Sequence, residues 1–310
     1  MSAPAPPFRP LPLPRQSLGV LALLASVFCF TVMDALGKQL MAQGYHPAQI
    51  VWVRMALNLA LVVLVLAPRL RVVARSSSPV LHVGRGLTQL ASIALFFSAL
   101  QFIGLAEATA IMDINPVLIT LGAALFLGES IGPRRMAGIA VALLGAMIVI
   151  RPGAGVFQPA ALLPLLGAVS YAAGAIMTRM VRGDGTATSI LWSTGVATLV
   201  ATTVVPFVWQ PVATGDLWAF LALGLVGTAA QALLIQAFVM AEAAAIAPLG
   251  YTGLVWATLW GWLFFGAMPD GWTIAGAALI VAAGLYVWLR EARTTRPARP
   301  PEQGARGRNG

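Results

Sequence analysis

Apolar stretches close to twenty residues long, separated by only a few polar residues, run through most of this chain. They cover about 17–40, 48–67, 82–102, 105–127, 133–150, 159–180, 187–209, 217–238, 242–265 and 271–290. An α-helix rises about 1.5 Å per residue, so each run is long enough to cross a hydrocarbon core of roughly 30 Å. In lipid the backbone must satisfy its own polar groups, and a helix does so within one segment. The fold class expected is therefore an all-α polytopic membrane protein with ten transmembrane helices. Composition agrees: 59% of the residues are hydrophobic and 9% are charged, against about 25% charged in a soluble domain. So few charges cannot build a water-facing surface, which excludes an ordinary soluble enzyme, a disordered chain and a coiled coil.

The net charge of +9 would suggest nucleic acid in a soluble protein, but the positions of the arginines reject that partner. With the N-terminus inside, Arg9, Arg15, Arg69, Arg71, Arg75, Arg85, Arg134, Arg135, Arg179, Arg182 and the arginines from Arg290 onward share the cytosolic side, while Lys38 and Arg151 lie outside. This bias places both termini in the cytoplasm and the chain in the inner membrane. Residues 1–16 (proline-rich) and 291–310 (basic) read as disordered cytosolic tails. The lone cysteine, Cys29, permits no intrachain disulfide. His46 and His82 have no second ligand at metal spacing. No metal and no cofactor are expected.

The halves repeat. LQFIGLAEATAI (100–111) aligns without gaps to IQAFVMAEAAAI (235–246), with Gln101 matching Gln236 and Glu107 matching Glu242. Trp52 pairs with Trp192, and Gly138 with Gly276, in the same order. Residues 17–151 and 152–290 then hold five spans each. Five is odd, so the second repeat enters the membrane from the opposite side, the plan of many secondary transporters. Gene duplication without a transport role is the plainer alternative.

VMDALGKQL, QIVWVRMAL, LAEATAIMDINPVLITLGAALFLGES, RRMAGIAVALLGAMIVIRPG and APLGYTGLVWATLWGWLFFG together span nearly everything but the tails. In these segments the chain resembles the EamA branch of the drug/metabolite transporter superfamily. The resemblance implies two inverted five-helix repeats, no ATPase and a central cavity for small metabolites. One departure is that Ala267 stands where Glu129 would have its counterpart.

Charges within a bilayer cost at least about 2.5–3.5 kcal/mol on the insertion scale, so each needs a reason. Asp34 and Lys38 are four apart in the first span and share a face; they either pair with each other or contact cargo. Arg54, in the second span, either pairs with Asp34 or binds an anion. Asp113 and Asn115 flank a break expected at Pro116, which cannot donate to the carbonyl of Met112. They line a cavity or satisfy neighbouring helices. Pro248 does the same to Ala244 in the ninth span, with Tyr251 following. Glu107 and Glu242 open equivalent helices, where they cap the helix or serve as paired gates. Tyr171, Tyr251, Trp256 and Trp260 form a candidate aromatic wall.

These features point to a secondary transporter of a small metabolite, with protons as the candidate coupling ion. Export of amino acids or related amphipathic compounds is the first expectation; uptake of a cofactor-like metabolite is the second. A membrane enzyme is disfavoured, because no HExxH, GxSxG or paired-aspartate motif is present, and no Walker A motif supplies ATP hydrolysis.

Overall fold

The computed structural model describes residues 15–128, 132–151, 159–181, 183–241 and 246–294. Both tails, apart from Arg15, Gln16 and the stretch to Thr294, lie outside them, as do Glu242 and Ala244. Every regular element among the described residues is helical. The helices are α1 (Arg15–Ala42), α2 (Pro47–Leu66), the short α3 (Leu70–Val73), α4 (Pro79–Leu100), α5 (Leu105–Met112), α6 (Asn115–Leu127), α7 (Pro133–Ile150), α8 (Leu162–Met180), α9 (Thr186–Val204), α10 (Leu217–Met240), α11 (Thr252–Phe265) and α12 (Gly271–Thr294). A 3-10 segment, Ala247–Tyr251, leads into α11.

Seven segments among the described residues are long and apolar enough to cross a membrane, the fourth of them formed by α5 and α6 together. The fifth and tenth sequence runs also form helices, but their apolar stretches, Met136–Ile150 and Gly271–Val287, are shorter. Local chemistry sets many of the ends. Pro47, Pro79 and Pro133 open α2, α4 and α7, where a missing N–H costs nothing. Gly128 and Gly266 close α6 and α11 at positive φ, 71° and 62°, a conformation that an added Cβ would strain. Many large apolar side chains face outward, among them Leu64, Leu125, Phe126 and Leu199, as a lipid solvent requires.

Packing follows a pattern that survives exchange of the two halves. α1 packs on α10 and α4 on α8; α4 touches α9 as α2 touches α10; α1 meets α11 as α8 meets α6. α2–α9 and α7–α12 pair across the exchange, and the fourth and ninth spans meet through α5 and α11. The largest buried cluster joins Met33, Leu40, Ile50, Met55, Phe97, Leu100 and Leu223. α7 and α12 meet closely at Gly145 and Gly276, where a Cβ on either would come within 2.9 or 2.7 Å of the other's carbonyl oxygen. Small residues of this kind let membrane helices approach.

Candidate functional site

The fourth span breaks where the sequence places Pro116. α5 ends at Met112, Asp113 and Ile114 form a turn, and α6 starts at Asn115. Proline has no N–H for the Met112 carbonyl. The Val117 N–H, which an unbroken helix would send to Asp113, goes to the Ile114 carbonyl at 3.0 Å. Opposite lies the second break, the 3-10 segment that contains Pro248 and ends in Tyr251. α5 packs on α11, the helix that follows this second break. Tyr251 lies close enough to Asp113 for the carboxylate to act on the phenol electrostatically. Asp113 Oδ2, Asn115 Oδ1 and Tyr251 Oη are buried and have no hydrogen-bond partner. All three belong to the two helix breaks.

Asp34 and Lys38 do not pair with each other, which corrects one of the two sequence readings. Lys38 Nζ donates to the carbonyls of Leu100 (2.9 Å) and Ile103 (2.6 Å), at the C-terminal end of α4. Cations are favoured there by the helix dipole. Its ammonium also lies 5.6 Å from the Phe265 ring. Asp34 instead feels Arg54 as its opposite charge, and the Arg54 guanidinium lies over Phe97 at 5.8 Å. Asp34 and Arg54 both keep part of their surface accessible although they are deep in the bundle.

The aromatic wall has a different membership from the one expected. α11 presents Trp256, Trp260 and Phe264 at helical spacing, and Phe28 of α1 packs edge-on to Trp256 (centroids 5.0 Å) and Trp260 (5.6 Å). Trp260 Nε1 donates to Thr31 Oγ1 at 3.1 Å. Tyr251 lies instead against Gly284 of α12. Tyr171 forms no ring contact with the stack and keeps 48% of its surface accessible. Two aromatic residues expected in the wall are thus elsewhere, and Phe28 and Phe264 take their places. Periodicity within one helix could find Phe264 but not the α1 partner.

At the face bearing Lys38, a cavity of about 230 Å³ lies between the starts of α5 and α12 and the end of α7. Glu107 lines it from the first turn of α5. Arg151 pairs with Asp270 at 2.6 Å. The Asp270 carboxyl is held below the usual carboxylate range, first by the Thr273 N–H and then by the Thr273 side chain and Arg151. Glu242, its expected partner as a gate, lies outside the described residues.

Two polar clasps escaped the sequence reading. At one face, Asp184 accepts from Ser77 N (2.9 Å) and from the hydroxyls of Ser76 (2.7 Å) and Ser77 (3.0 Å). Buried His82 Nε2 lies 2.9 Å from the same carboxylate. These contacts, the Ser77 N–H foremost, hold the Asp184 carboxyl well below its usual range. At the other face, Tyr45 donates to Asp216 Oδ2 (2.8 Å) and accepts from Ala213 N (3.0 Å). Gln49 exchanges two bonds with the backbone of Gln210 there. The matched pair Trp52 and Trp192 belongs to these clasps: Trp52 donates to Thr202 Oγ1 and Trp192 to the Ala74 carbonyl. That correspondence was the one available signal. Among the described residues no group of three His, Cys, Asp or Glu could hold a metal ion.

The family model for EamA-like transporters matches residues 17–151 and again 158–289. The pseudopaline exporter CntI of Pseudomonas aeruginosa is 34% identical over 272 residues, 86% of this chain and 94% of its own length. The riboflavin transporter of Rhizobium johnstonii is 34% identical over 224 residues, 72% of this chain and 74% of its own. The S-adenosylmethionine uptake transporter of Rickettsia bellii is 28% identical over 218 residues, 70% and 75%. One crystal structure of a protein superposes with a TM-score of 0.56 at 24% identity, covering 90% of this chain and 99% of its own, a likeness of fold. The resemblance read from the sequence stands: the chain, a multi-pass membrane transporter of small metabolites, belongs to the EamA-like transporter family.

Proposed function

We propose that the chain exports an amino-acid-related, amphipathic metabolite across the inner membrane by alternating access. In this reading ten helices form two inverted five-helix repeats, 17–151 and 152–290, with both termini cytosolic. The observation that carries it is the packing that maps onto itself when the halves are exchanged, with a helix break in each half. Inverted repeats meeting at broken helices are how many transporters build a site near the midplane. Asp113, Asn115 and Tyr251 form the polar end of the cargo site, and Trp256 its aromatic flank. Asp34 and Arg54 face the same internal space, and Tyr171 the approach to it. Lys38 is structural. Glu107 caps α5 and borders the outer mouth, with Glu242 as its inner counterpart. Protons are the candidate coupling ion.

The resemblance to an exporter of pseudopaline supports the outward direction. The riboflavin and S-adenosylmethionine relatives keep uptake of a cofactor-like metabolite as the second reading. Counterflow into liposomes holding the purified chain tests both, with amino acids, riboflavin and S-adenosylmethionine as separate loads. Accelerated exchange of an amino acid is expected. Exchange of riboflavin or S-adenosylmethionine alone moves the assignment to the second reading. Single cysteines placed in residues 1–16 and 291–310 should label only from the cytosolic side. Labelling of the two tails from different sides rules the inverted plan out.

A further inference from the structure

The break in the fourth span leaves a one-sided set of backbone and side-chain groups. The carbonyl of Met112 is denied a partner by Pro116, and that of Asp113 loses the Val117 N–H to Ile114. At the start of α6 the N–H groups of Val117 and Leu118 both point to the Ile114 carbonyl, at 3.0 and 3.1 Å. On the same turn Asp113 Oδ2 and Asn115 Oδ1 are buried without a partner, and Tyr251 Oη, also unpartnered, comes from the opposite break. The buried side-chain atoms left without a partner here are all oxygens. α5 ends here, so the negative end of its dipole adds to their potential. No lysine, arginine or histidine among the described residues pairs with Asp113.

We propose that this break is a monovalent-cation site, in which Asp113, Asn115, Tyr251 and the freed carbonyls hold either a bare sodium ion or the ammonium group of the cargo. The charge balance selects a single positive charge. One carboxylate neutralises it, whereas a divalent ion would keep a net charge near mid-bilayer at a cost of several kcal/mol. Magnesium also favours octahedral geometry with several retained waters. Unwound carbonyls and helix C-terminal ends are suited to hard monovalent cations. An anion would be repelled by the Asp113 carboxylate. Gly284 completes the cage, since the Tyr251 hydroxyl occupies the space that a side chain there would fill. The inference rests on the transporter reading only in that the cation reaches the break through the cargo pathway.

The test is the unfolding midpoint of the purified full chain in nanodiscs at constant ionic strength and pH. One arm compares sodium chloride with potassium and N-methylglucamine chlorides. A second compares methylammonium with tetramethylammonium, which carries the charge but no N–H. A rise of roughly 3 °C or more is expected at about ten times the dissociation constant. A rise with sodium alone identifies a bare ion. A rise with methylammonium alone identifies a cargo ammonium. In either case Asp113→Asn abolishes the shift, and Asn115→Ala and Tyr251→Phe, which keep the charge and remove one oxygen ligand each, weaken apparent affinity by about tenfold. Absence of a shift in both arms, or a shift retained by Asp113→Asn, overturns the proposal. Counterflow by the same preparation in N-methylglucamine separates the two claims. Transport without any cation effect leaves the function standing and sinks the site.

Discussion

The hydroxyl of Tyr251 sits where a methyl group on residue 284 would have to go. Gly284 therefore sets the position of a ring two elements away, and through it one wall of the polar centre that Asp113 shares. Replacing Gly284 by Ala pushes the ring off this position. Overpacking of this kind costs about 1–3 kcal/mol. Tyr251→Phe does not relieve it, because the ring carbon Cζ already lies 2.7 Å from the added Cβ. Tyr251→Ala does. A double-mutant cycle in thermal unfolding should show Gly284→Ala and Tyr251→Ala strongly non-additive, and additive effects would break the proposed link.

Lys38 closes the end of α4 from sixty residues away. Replacing it by Met leaves the carbonyls of Leu100 and Ile103 without their donor. Unsatisfied buried acceptors cost about 1–3 kcal/mol. Lys38→Met should unfold at lower SDS fraction in mixed micelles by about that free energy, whereas Asp34→Asn should leave the Lys38 contribution unchanged.

Arg151 takes a left-handed conformation, φ 50°, at the end of α7. For a side-chain-bearing residue that costs about 1–2 kcal/mol. Its ion pair with Asp270 is partly exposed, 25% and 48% for the two side chains, and is worth about 0–1 kcal/mol. Arg151→Gly removes both and should match the unmutated protein within about 1 kcal/mol in the same unfolding assay. Arg151→Ala keeps the strain, loses the pair, and should be the less stable of the two.

The Asp184 clasp carries a definite pH dependence. Its carboxyl is lowered in the folded protein, so its contribution is complete above the unfolded value of about 3.9 and disappears as pH falls through the lower folded value. The stability difference between the unmutated chain and Asp184→Asn should be flat from pH 8 to about 5 and shrink below about pH 4. A difference that shrinks between pH 8 and 6 would assign the clasp to another titrating group.

The membrane character and the break at Pro116 could be read from the chain because each has a local cause: twenty apolar residues, or one missing N–H. Long-range choices could not. The spacing of Asp34 and Lys38 speaks for a local pair; the hairpin of the first two spans offered Arg54 to the aspartate, but nothing nearby announces that the carbonyl end of α4 competes for the lysine. Tyr171 and Trp256 look alike in sequence, yet only Trp256 faces α1. Asp184 and Asp216 read as ordinary loop acids, since their partners Ser77 and Tyr45 lie in the other half.

The clasps at opposite faces are closed in the same conformation. Each tie joins one half of the chain to the other, Ser76, Ser77 and His82 to Asp184 on one side and Tyr45 and Gln49 to Asp216, Ala213 and Gln210 on the other. α2 and α9 pack together between them. Cutting either tie should therefore loosen the seam between the halves before it disturbs the packing inside one half.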